Sequence, residues 1–404
     1  MPQKKENKKR AYHLTSATCT VEEYDRVIIK EEYKTAQAGI KFFRVFLDGF
    51  AKNGEKITVF SKRPTTRIKS GKRYIPSKNE EKDEVRYHYC RLFNFPVVNN
   101  VYSYLAAFFW YMNPKKCAKG DLVFVDPLNV SIAAGTMAAC KLRGIPTVAF
   151  ITDLPTCYCY AGEKPSAHLR ASQRVNQRAD GYVNVTKYID GVINPKGKPS
   201  VVMEGFVSES LREMSVAIED KYPKKVCMYT GAMEKIYGLD MLVEGFLKAD
   251  IPDSELHLYG AGGYVDEIKR LAEGDDRIKY FGCRDNAYVV DAQMKATLLI
   301  NPRYSDAEYT KYSFPGKNLE YAASGTPTLT TPLPGMPEEY YPHVFILEEE
   351  TVDGMAKKLT EILSIPREEL YEFGLATKAW MLDNKNCRTQ IRRAIDFFNS
   401  VKLK

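Results

Sequence analysis

The chain of 404 residues is 44% hydrophobic, 27% charged and 12% aromatic, a balance typical of globular proteins. This composition excludes a collagen-like or largely disordered chain. A single hydrophobic core stops growing at roughly 250 to 300 residues, so the length predicts two domains. The formal net charge of +8 predicts a surface that attracts polyanions.

The N-terminal sequence and the cysteines indicate the cellular compartment of the protein. No apolar run reaches the ~18 to 20 residues that span a bilayer, and the basic residues 1–10 lead into no apolar signal segment. Nine cysteines, an odd number without paired metal spacing, are typical of reduced thiols. We therefore expect a cytoplasmic protein, with no metal or redox role at the close pair Cys157 and Cys159.

Positive charge is concentrated at residues 4–10 and in a predicted loop at 62–73. Three interpretations are open: a solvated face, peripheral contact with the inner face of an anionic membrane that carries a lipid-linked acceptor, and nucleic acid. No recognition motif accompanies the charge, so we do not expect a nucleic-acid partner. The aromatic stretch 101–112 beside three lysines is either a membrane-seated helix or, as we favour, a helix packed in the core.

Short apolar runs alternate with amphipathic stretches of helical length, the pattern of βαβ units and parallel sheets. In the first half the clearest strands are predicted at 57–60, 122–125, 147–151, 181–185 and 200–203, with helices at 36–50 and 132–142. In the second half strands are predicted at 226–229, 255–259, 278–281, 296–300 and 326–331, with helices at 239–249, 265–272, 287–294 and 316–323.

The predicted fold class is α/β, with two Rossmann-like, doubly wound domains that face a cleft. The domains are expected at 1–204 and 205–376, and the polar interval 204–225 is the candidate linker. The stretch 377–404 predicts one long basic helix. Ligands are expected at the carboxyl ends of the strands, where doubly wound sheets bind them.

Two strand-to-glycine junctions lie in the second half. Gly231 follows a predicted strand and would let backbone N–H groups approach an anion, with Lys235 close to the start of the next helix. The second junction, at 259–263, lacks the full G-x-G-x-x-G spacing and the acid that should follow it. We therefore interpret it as a loop near a nucleotide base and predict no nicotinamide cofactor.

The segment 301–325 carries the densest set of candidate groups. Pro315 and Gly316 mark a helix start, whose first N–H groups would point towards a bound phosphate. Lys317 and Glu320 share a helix face, which is also the spacing of an ordinary surface ion pair. This helix start follows a strand in a Rossmann-like unit. In that position the Lys317 cation would instead contact a phosphate, and the Glu320 carboxylate would contact a ribose.

From about residue 225 to 363 the chain resembles the C-terminal domain of the retaining GT-B glycosyltransferases of family 4, particularly those of bacterial surface-polysaccharide clusters. The residues that carry this resemblance are Tyr229-Thr230-Gly231, Tyr237-Gly238, Gly260-x-Gly262, Asn301-Pro302-Arg303 and the run from Ser313 to Gly325. The first half matches more faintly, for example at Thr152-Asp153-Leu154-Pro155.

The resemblance implies a glycosyltransferase that moves a sugar from a nucleotide-diphosphate sugar to a glycan or lipid-linked acceptor. It further implies retention of anomeric configuration and a part in surface polysaccharide or glycoconjugate synthesis. Two alternatives stay open: a sugar-nucleotide epimerase of the same superfamily, and a non-catalytic partner protein that keeps the nucleotide pocket.

The resemblance also implies roles for single residues. Glu320 aligns with the second glutamate of the family's E-x7-E motif and would accept hydrogen bonds from the ribose hydroxyls. The first glutamate of the motif falls on Tyr312, so the role of contacting the sugar has no assigned residue. The family's usual arginine falls on Ala232, and we expect Lys235, Arg303 and Lys317 to supply the missing charge. The predicted donor-binding residues are Gly231, Lys235, Tyr237, Arg303, Ser313, Phe314, Pro315, Gly316, Lys317 and Glu320.

The predicted mechanism follows from charge. A departing nucleoside diphosphate builds negative charge, which Lys317 and Arg303 would stabilise together with helix N–H groups. No Asp-x-Asp pair follows a strand, so we expect no essential Mg²⁺ and no cofactor. In the first half Asp153, at a predicted strand end, is a candidate to orient or deprotonate the acceptor hydroxyl; a turn aspartate is the alternative.

Overall fold

The computed structural model describes residues 10–28, 38–154 and 166–403. The chain divides into two compact units: unit 1 is Met1–Met203 with Cys387–Lys404, and unit 2 is Glu204–Asn386. The sequence-based boundaries differ from this division, because they begin the last segment at residue 377. The basic residues 4–9 and the cysteine pair at 157 and 159 lie outside the described residues.

Unit 1 contains most of the first half of the chain. Its strands are β1 (Tyr12–Ser16), β2 (Ile57–Ser61), β3 (Tyr74–Ile75), β4 (Lys78–Lys82), β5 (Val85–Tyr89), β6 (Leu92–Phe93), β7 (Leu122–Val125), β8 (Thr147–Ile151), β9 (Gly181–Asn184) and β10 (Ser200–Val202). Its helices in this segment are α1 (Val21–Val27), α2 (Ala38–Lys52), α3 (Arg67–Ser70), α4 (Pro96–Met112), α5 (Val130–Arg143), α6 (Ala167–Asn176) and α7 (Lys187–Ile193).

Eight of these strands form one sheet in the order β10-β9-β8-β7-β1-β2-β5-β4, and β3 pairs with β6 separately. Within the eight-stranded sheet all neighbours are parallel except β4 and β5. The strand order reverses direction between β1 and β7, which is the topological switch point of a doubly wound sheet.

Strand β1 is central in this sheet, although apolar periodicity does not predict it. All five of its residues are buried, and two of them are the polar Thr15 and Ser16. The Thr15 hydroxyl donates to the Tyr111 hydroxyl and the Ser16 hydroxyl to the Asp126 carboxylate, each at 2.8 Å. These hydrogen bonds offset the cost of burying polar groups, so a strand with mixed polarity is stable in the core.

Unit 2 repeats the architecture with six strands. They are β11 (Lys225–Thr230), β12 (Ser254–Tyr259), β13 (Ile278–Gly282), β14 (Leu298–Asn301), β15 (Thr328–Thr330) and β16 (Phe345–Ile346). Its helices are α8 (Leu239–Lys248), α9 (Val265–Gly274), α10 (Asn286–Lys295), α11 (Gly316–Ser324), α12 (Val352–Leu363) and α13 (Arg367–Asn384). The order β13-β12-β11-β14-β15-β16 is parallel throughout and, counted within the unit, is the Rossmann order 3-2-1-4-5-6.

Strand β11 shows why unit 2 has helices on both faces of its sheet. From Val226 onward its residues are buried, as in a strand covered on both sides. Successive side chains point to opposite faces. Cys227 and Tyr229 join one core, while Val226 and Met228 join another.

The predicted linker and the predicted terminal helix both differ from the structure. Lys221, in the interval expected to be a linker, is buried in unit 2 and donates to the carbonyls of Met294 and Ala296 at 2.8 and 2.9 Å. The single helix expected over 377–404 is wrong, because α13 ends at Asn384 and α14 (Cys387–Ser400) begins after a break. At the break the buried Lys385 ammonium lies 3.0 Å from a Glu204 carboxylate oxygen.

Candidate functional site

The reversal of strand order between β11 and β14 concentrates loops at the carboxyl edge of unit 2. Gly231 directly follows β11, and Arg303 follows β14 by two residues. The helix α11 begins at the same edge. A doubly wound sheet binds its ligands in this position, because the loops on either side of the switch point diverge and leave a crevice.

The two glycine-containing loops after β11 and β12 are held against each other. The Gly231 N–H donates to the Tyr259 carbonyl at 2.8 Å, and the Met233 N–H donates to the Ala261 carbonyl at 2.9 Å. Gly260 has a φ of +145°, and a Cβ placed there would lie 1.8 Å from the Gly231 carbonyl oxygen. The close approach therefore requires glycine at 260 and fixes the backbone at 231.

Lys317 reaches from the first turn of α11 back to the end of β11. Its ammonium donates to the Tyr229 hydroxyl at 2.6 Å and lies 4.0 Å from the centroid of that ring. A Cβ at position 231 would come within 2.3 Å of the same ammonium, so Gly231 leaves the space that Lys317 occupies. The lysine is therefore held by its neighbours beside the backbone of the first glycine loop.

Arg303 lies beside Lys317 among aromatic rings. Its guanidinium carbon is 5.0 Å from the Tyr237 ring centroid and 5.5 Å from that of Tyr309. One guanidinium nitrogen donates to the Ser313 hydroxyl at 3.3 Å, while the buried Nε has no hydrogen-bond partner among the described residues. A buried donor without a partner is costly, which favours a ligand that accepts from it.

Burial and the neighbouring Arg303 both lower the tendency of Lys317 to stay charged. Burial, followed by the charge of Arg303, lowers the pKa of Lys317 to about 7, although nearby Glu320 acts in the opposite direction. Within residues 10–28, 38–154 and 166–403, neither Lys317 nor Arg303 has a carboxylate within 4.0 Å. An anionic ligand would supply the charge that the protein leaves out.

Buried hydrogen bonds fix α11 to the sheet. The Asn301 side chain, at the end of β14, donates to the Asn318 side chain at 2.8 Å, and Asn318 in turn donates to the Thr330 hydroxyl at 3.3 Å. The Tyr321 hydroxyl accepts from the Thr230 N–H at 2.9 Å. The helix thus contacts three neighbouring strands, and its N-terminal end is held at the carboxyl edge.

The structure brings most of the predicted donor-binding residues together. They are Gly231, Tyr237, Arg303, Ser313, Phe314, Pro315, Gly316 and Lys317. Phe314 is buried against Tyr340, with ring centroids 5.3 Å apart, and Pro315 is the N-cap of α11. Glu320 lies one turn further along α11 and is exposed.

Two predicted residues lie apart from this cluster. Lys235 is exposed, and its ammonium lies 5.1 Å from the Tyr264 ring centroid, beside the second glycine loop. Asp153 belongs to unit 1, where it follows the carboxyl end of β8. In the structure the lysine beside Gly231 is therefore Lys317 and not Lys235, and Arg303 lies close to Lys317.

Tyrosines contribute contacts that the sequence pattern does not assign. Tyr229 orients the Lys317 ammonium, and Tyr309 places its ring against Arg303. Their only signal in the sequence is their position, since Tyr229 precedes Thr230-Gly231 and Tyr309 precedes the helix start at Gly316 by one short loop. Such partners become visible only when distant parts of the chain meet.

One group of potential metal ligands exists within the described ranges. It consists of the buried His13, Cys117 and Asp121 of unit 1, with the His13 Nε2 3.0 Å from an Asp121 oxygen. His13 lies near the start of β1 and Asp121 directly before β7, so the group is at the amino ends of the strands. The expectation that the reaction needs no metal stays a prediction.

Comparison with known proteins identifies the chemistry of unit 2. Residues 224–364 match the family model described as glycosyl transferases group 1. Unit 2 carries a group 1 glycosyltransferase domain, and the chain has the GT-B fold. No curated protein matches the sequence significantly. Gly231, Arg303, Lys317 and Glu320 of this glycosyltransferase all lie within the matched residues.

Similar solved structures confirm the predicted α/β fold with two Rossmann-like domains. Sucrose-phosphate synthase from Thermosynechococcus elongatus has a TM-score of 0.69 at 12% identity, over 97% of this chain and 99% of that one. HepE from Anabaena, in complex with UDP, has a TM-score of 0.64 at 10% identity, over 97% and 100%. The trehalose-6-phosphate protein from E. coli bound with UDP-2-fluoro glucose has a TM-score of 0.68 at 9% identity, over 98% and 100%.

Proposed function

We propose that this glycosyltransferase takes its sugar from a nucleoside-diphosphate sugar whose pyrophosphate lies at the start of α11. The observation that carries the proposal is a pair of neighbouring cations without a carboxylate partner among the described residues. Lys317 is held beside Gly231, and Arg303 shares the Tyr237 ring with it. The N-terminal end of α11 adds a positive dipole and backbone N–H groups at the same edge.

The remaining contacts of the donor follow from this position. Glu320 is exposed one turn along α11, where its carboxylate would accept hydrogen bonds from the ribose hydroxyls. The loop at 259–263 is the surface proposed for the base. Two structurally similar proteins hold UDP or UDP-2-fluoro glucose, which supports a UDP-sugar as the donor.

Sugar transfer by this site would depend on charge stabilisation. When the glycosidic bond to phosphate breaks, negative charge grows on the leaving oxygen, and fixed cations stabilise it without reorganising. We propose that Lys317 and Arg303 do this without a metal ion. Asp153 is the proposed group that orients or deprotonates the acceptor hydroxyl.

Retention of anomeric configuration and a role in surface polysaccharide or glycoconjugate synthesis are supported by the family 4 resemblance of the motifs. The proposed acceptor is a glycan or a lipid-linked glycan. We also propose peripheral contact of unit 1 with an anionic membrane, which would bring the enzyme to a lipid-linked acceptor.

The donor and the reaction can be tested together. The purified protein is incubated with UDP-, GDP- and ADP-sugars, with and without acceptor, and free nucleoside diphosphate is measured. Release that requires acceptor, with UDP-sugars preferred, is the expected result. Isomerisation of the sugar without acceptor would indicate an epimerase instead, and binding without turnover would indicate a non-catalytic partner.

Nucleotide binding should take up a proton above neutral pH. The pKa of Lys317 is lowered to about 7 by burial and then by Arg303, and a bound pyrophosphate restores the charged form. We therefore expect UDP affinity to fall as pH rises from 7 to about 9, by at most about tenfold per pH unit. Calorimetry at pH 8 in buffers with different ionisation heats measures the uptake.

The proton uptake should approach one per nucleotide in the wild-type protein and disappear in Lys317→Met. An identical proton count in the two proteins would show that another group titrates.

Glu320→Ala should weaken UDP binding by roughly 10- to 100-fold, since hydrogen bonds to a charged group contribute about 1.5 to 3 kcal/mol. The melting temperature of the ligand-free protein should stay unchanged, because the side chain is exposed. The matched control is Glu372→Ala, an exposed glutamate within α13. Equal affinity in the two variants would remove Glu320 from the donor site, and a large drop in melting temperature would indicate a structural role.

A further inference from the structure

Helix α4 buries three small or polar side chains and one tyrosine, and it exposes most of its large apolar side chains. The buried positions recur every four residues and are Asn99, Ser103, Ala107 and Tyr111. The other side, named here the apolar stripe, has side chains that are 36 to 77% exposed, at Val97, Val98, Val101, Leu105, Phe109 and Met112. This inverts the usual pattern of a helix on a globular protein and corrects the expectation that the whole stretch packs in the core.

The inverted orientation is fixed by the packing of α4 against α5. A Cβ on Gly135 of α5 would lie 2.2 Å from the Tyr104 carbonyl oxygen, so the two helix backbones approach very closely. Small residues allow such an approach, whereas the large side chains of the apolar stripe would prevent it. The stripe therefore faces outward because the inner face has no room for it.

The sequence around the stripe contains only positive charge. Residues 85–120 include no Asp or Glu, and their five basic residues are Arg86, Arg91, Lys115, Lys116 and Lys119. Lysines 115, 116 and 119 directly follow the C-terminal end of α4 and are exposed. The apolar stripe thus has cations next to its end.

A second acid-free segment, residues 56–79, contacts α4 from the side. The Lys62 ammonium lies 3.5 Å from the Asn100 side-chain oxygen, and the Arg73 carbonyl accepts from the Asn94 N–H at 2.8 Å. Lys72 and Arg73 are exposed. The predicted basic loop therefore lies beside the start of the stripe.

Two residues of that loop do not contribute to the exposed charge described here. Arg63 is buried, with its guanidinium 2.5 Å from a Glu23 carboxylate oxygen. The side chain of Arg67 lies outside the described part of the chain. The exposed cations of the loop are Lys72 and Arg73, while Lys62 and Lys69 are half-buried.

A pocket of about 370 Å³ opens beside the C-terminal half of α4. Phe60, His88, Arg91, Phe109, Trp110 and Lys116 are among the residues that line it. The Lys116 ammonium lies 4.7 Å from the Trp110 ring centroid. Aromatic rings next to cations are typical of the boundary between a bilayer's headgroups and its acyl chains.

We infer that unit 1 lies on an anionic lipid bilayer through α4, with the apolar stripe among the acyl chains and the surrounding cations on headgroup phosphates. Within the described residues no helix is long and apolar enough to cross a membrane. The exposed side chains of the stripe run along one side of α4, so the contact lies along the helix, in the plane of the surface. A second copy of the chain is a poorer occupant, because it would bring the exposed cations beside the stripe against the same cations of its partner. The inference names the surface for the membrane contact proposed above, and it rests on unit 1 alone.

Vesicle flotation tests the inference without requiring sugar transfer. The full chain is mixed with vesicles of phosphatidylcholine alone or of phosphatidylcholine with an equal part of phosphatidylglycerol. We expect binding to the anionic vesicles at least about tenfold tighter than to the neutral ones, weakened by added salt. A protein that floats with neither vesicle, or equally with both, would overturn the inference.

Substitutions in the stripe identify the surface. Val101→Glu with Phe109→Glu should reduce binding to anionic vesicles by about a hundredfold, because two charges would enter the apolar layer. The matched control is Val21→Glu, since Val21 is 52% exposed and Val101 is 56% exposed on the same unit. The control should bind as the wild type does.

Two further measurements distinguish lipid binding from misfolding and from self-association. UDP binding, a property of unit 2, should be unchanged in the stripe variant, so its loss would indicate misfolding, and Val101→Ser with Phe109→Ser would then replace that variant. Sedimentation without lipid should show one species for all variants. A wild-type dimer that becomes a monomer in the stripe variant would assign the stripe to a second copy and overturn the membrane inference.

Discussion

Lys317→Ala should lower kcat/KM for the donor sugar by about 10²- to 10³-fold, the loss expected when one fixed donor to a developing oxyanion is removed. Lys317 lies against Gly231, Arg303 shares the Tyr237 ring with it, and neither cation has an ion-pair partner within the described ranges. Their neighbours there are hydroxyls and aromatic rings. In the proposed reaction, the leaving pyrophosphate would depend on both of them.

The fold should survive this substitution. The Tyr229 hydroxyl loses Lys317 as a donor but keeps its own hydrogen bond to the Ala232 carbonyl at 2.9 Å. Steady-state kinetics with a UDP-sugar and a melting curve measure the two effects separately. Lys248→Ala is the control, because Lys248 is an exposed lysine of the same unit that pairs with Asp353. Kinetics equal to those of this control would remove Lys317 from the reaction.

Gly260→Ala should destabilise unit 2 by about 3 kcal/mol or more, one of the largest effects expected from a single methyl group. The backbone at 260 has a φ of +145°, which side chains rarely adopt, and the new Cβ would lie 1.8 Å from the Gly231 carbonyl oxygen. That oxygen belongs to the backbone, so it cannot move aside as a flexible side chain would. The two loops must separate or the strands must shift.

Urea unfolding followed by tyrosine fluorescence and circular dichroism measures the loss. Gly274→Ala is the matched control, since a Cβ at position 274 meets nothing within 4 Å and the residue ends α9 with ordinary φ. The control should be neutral or slightly stabilising. Superimposable unfolding curves for Gly260→Ala and the wild type would show that the loops are not held together as described.

The sequence predicts the strands of unit 2 well because their local pattern is strong. Strands β11 to β15 are short apolar runs bounded by turn residues, and α11 begins at a Pro-Gly pair as expected. Local pattern fails at β1, where Thr15 and Ser16 are buried through hydrogen bonds to residues about a hundred positions away. A strand stabilised by distant partners carries no periodic signal of its own.

The candidate site shows the same difference between features with a local sequence pattern and contacts between distant residues. The start of α11 and the presence of Lys317 follow from the motif, whereas the hydrogen bond from Lys317 to Tyr229 joins residues 88 positions apart. Lys235 shows the limit of proximity in sequence: it is near Gly231 along the chain, but its side chain lies over Tyr264. Which cations meet is decided by the order of strands and not by spacing along the sequence.

The return of the chain to unit 1 affects the order in which the protein is made. Gly49 of α2 packs against α14 so closely that a Cβ there would lie 2.5 Å from Ile391, and Asn399 donates to the Tyr12 hydroxyl at 3.1 Å. Unit 2 is continuous, so all of its residues are joined to the chain before α14 is synthesised. Unit 1, although begun first, must wait with an uncovered apolar surface until the last turns of helix emerge, an interval in which chaperones have the most to protect.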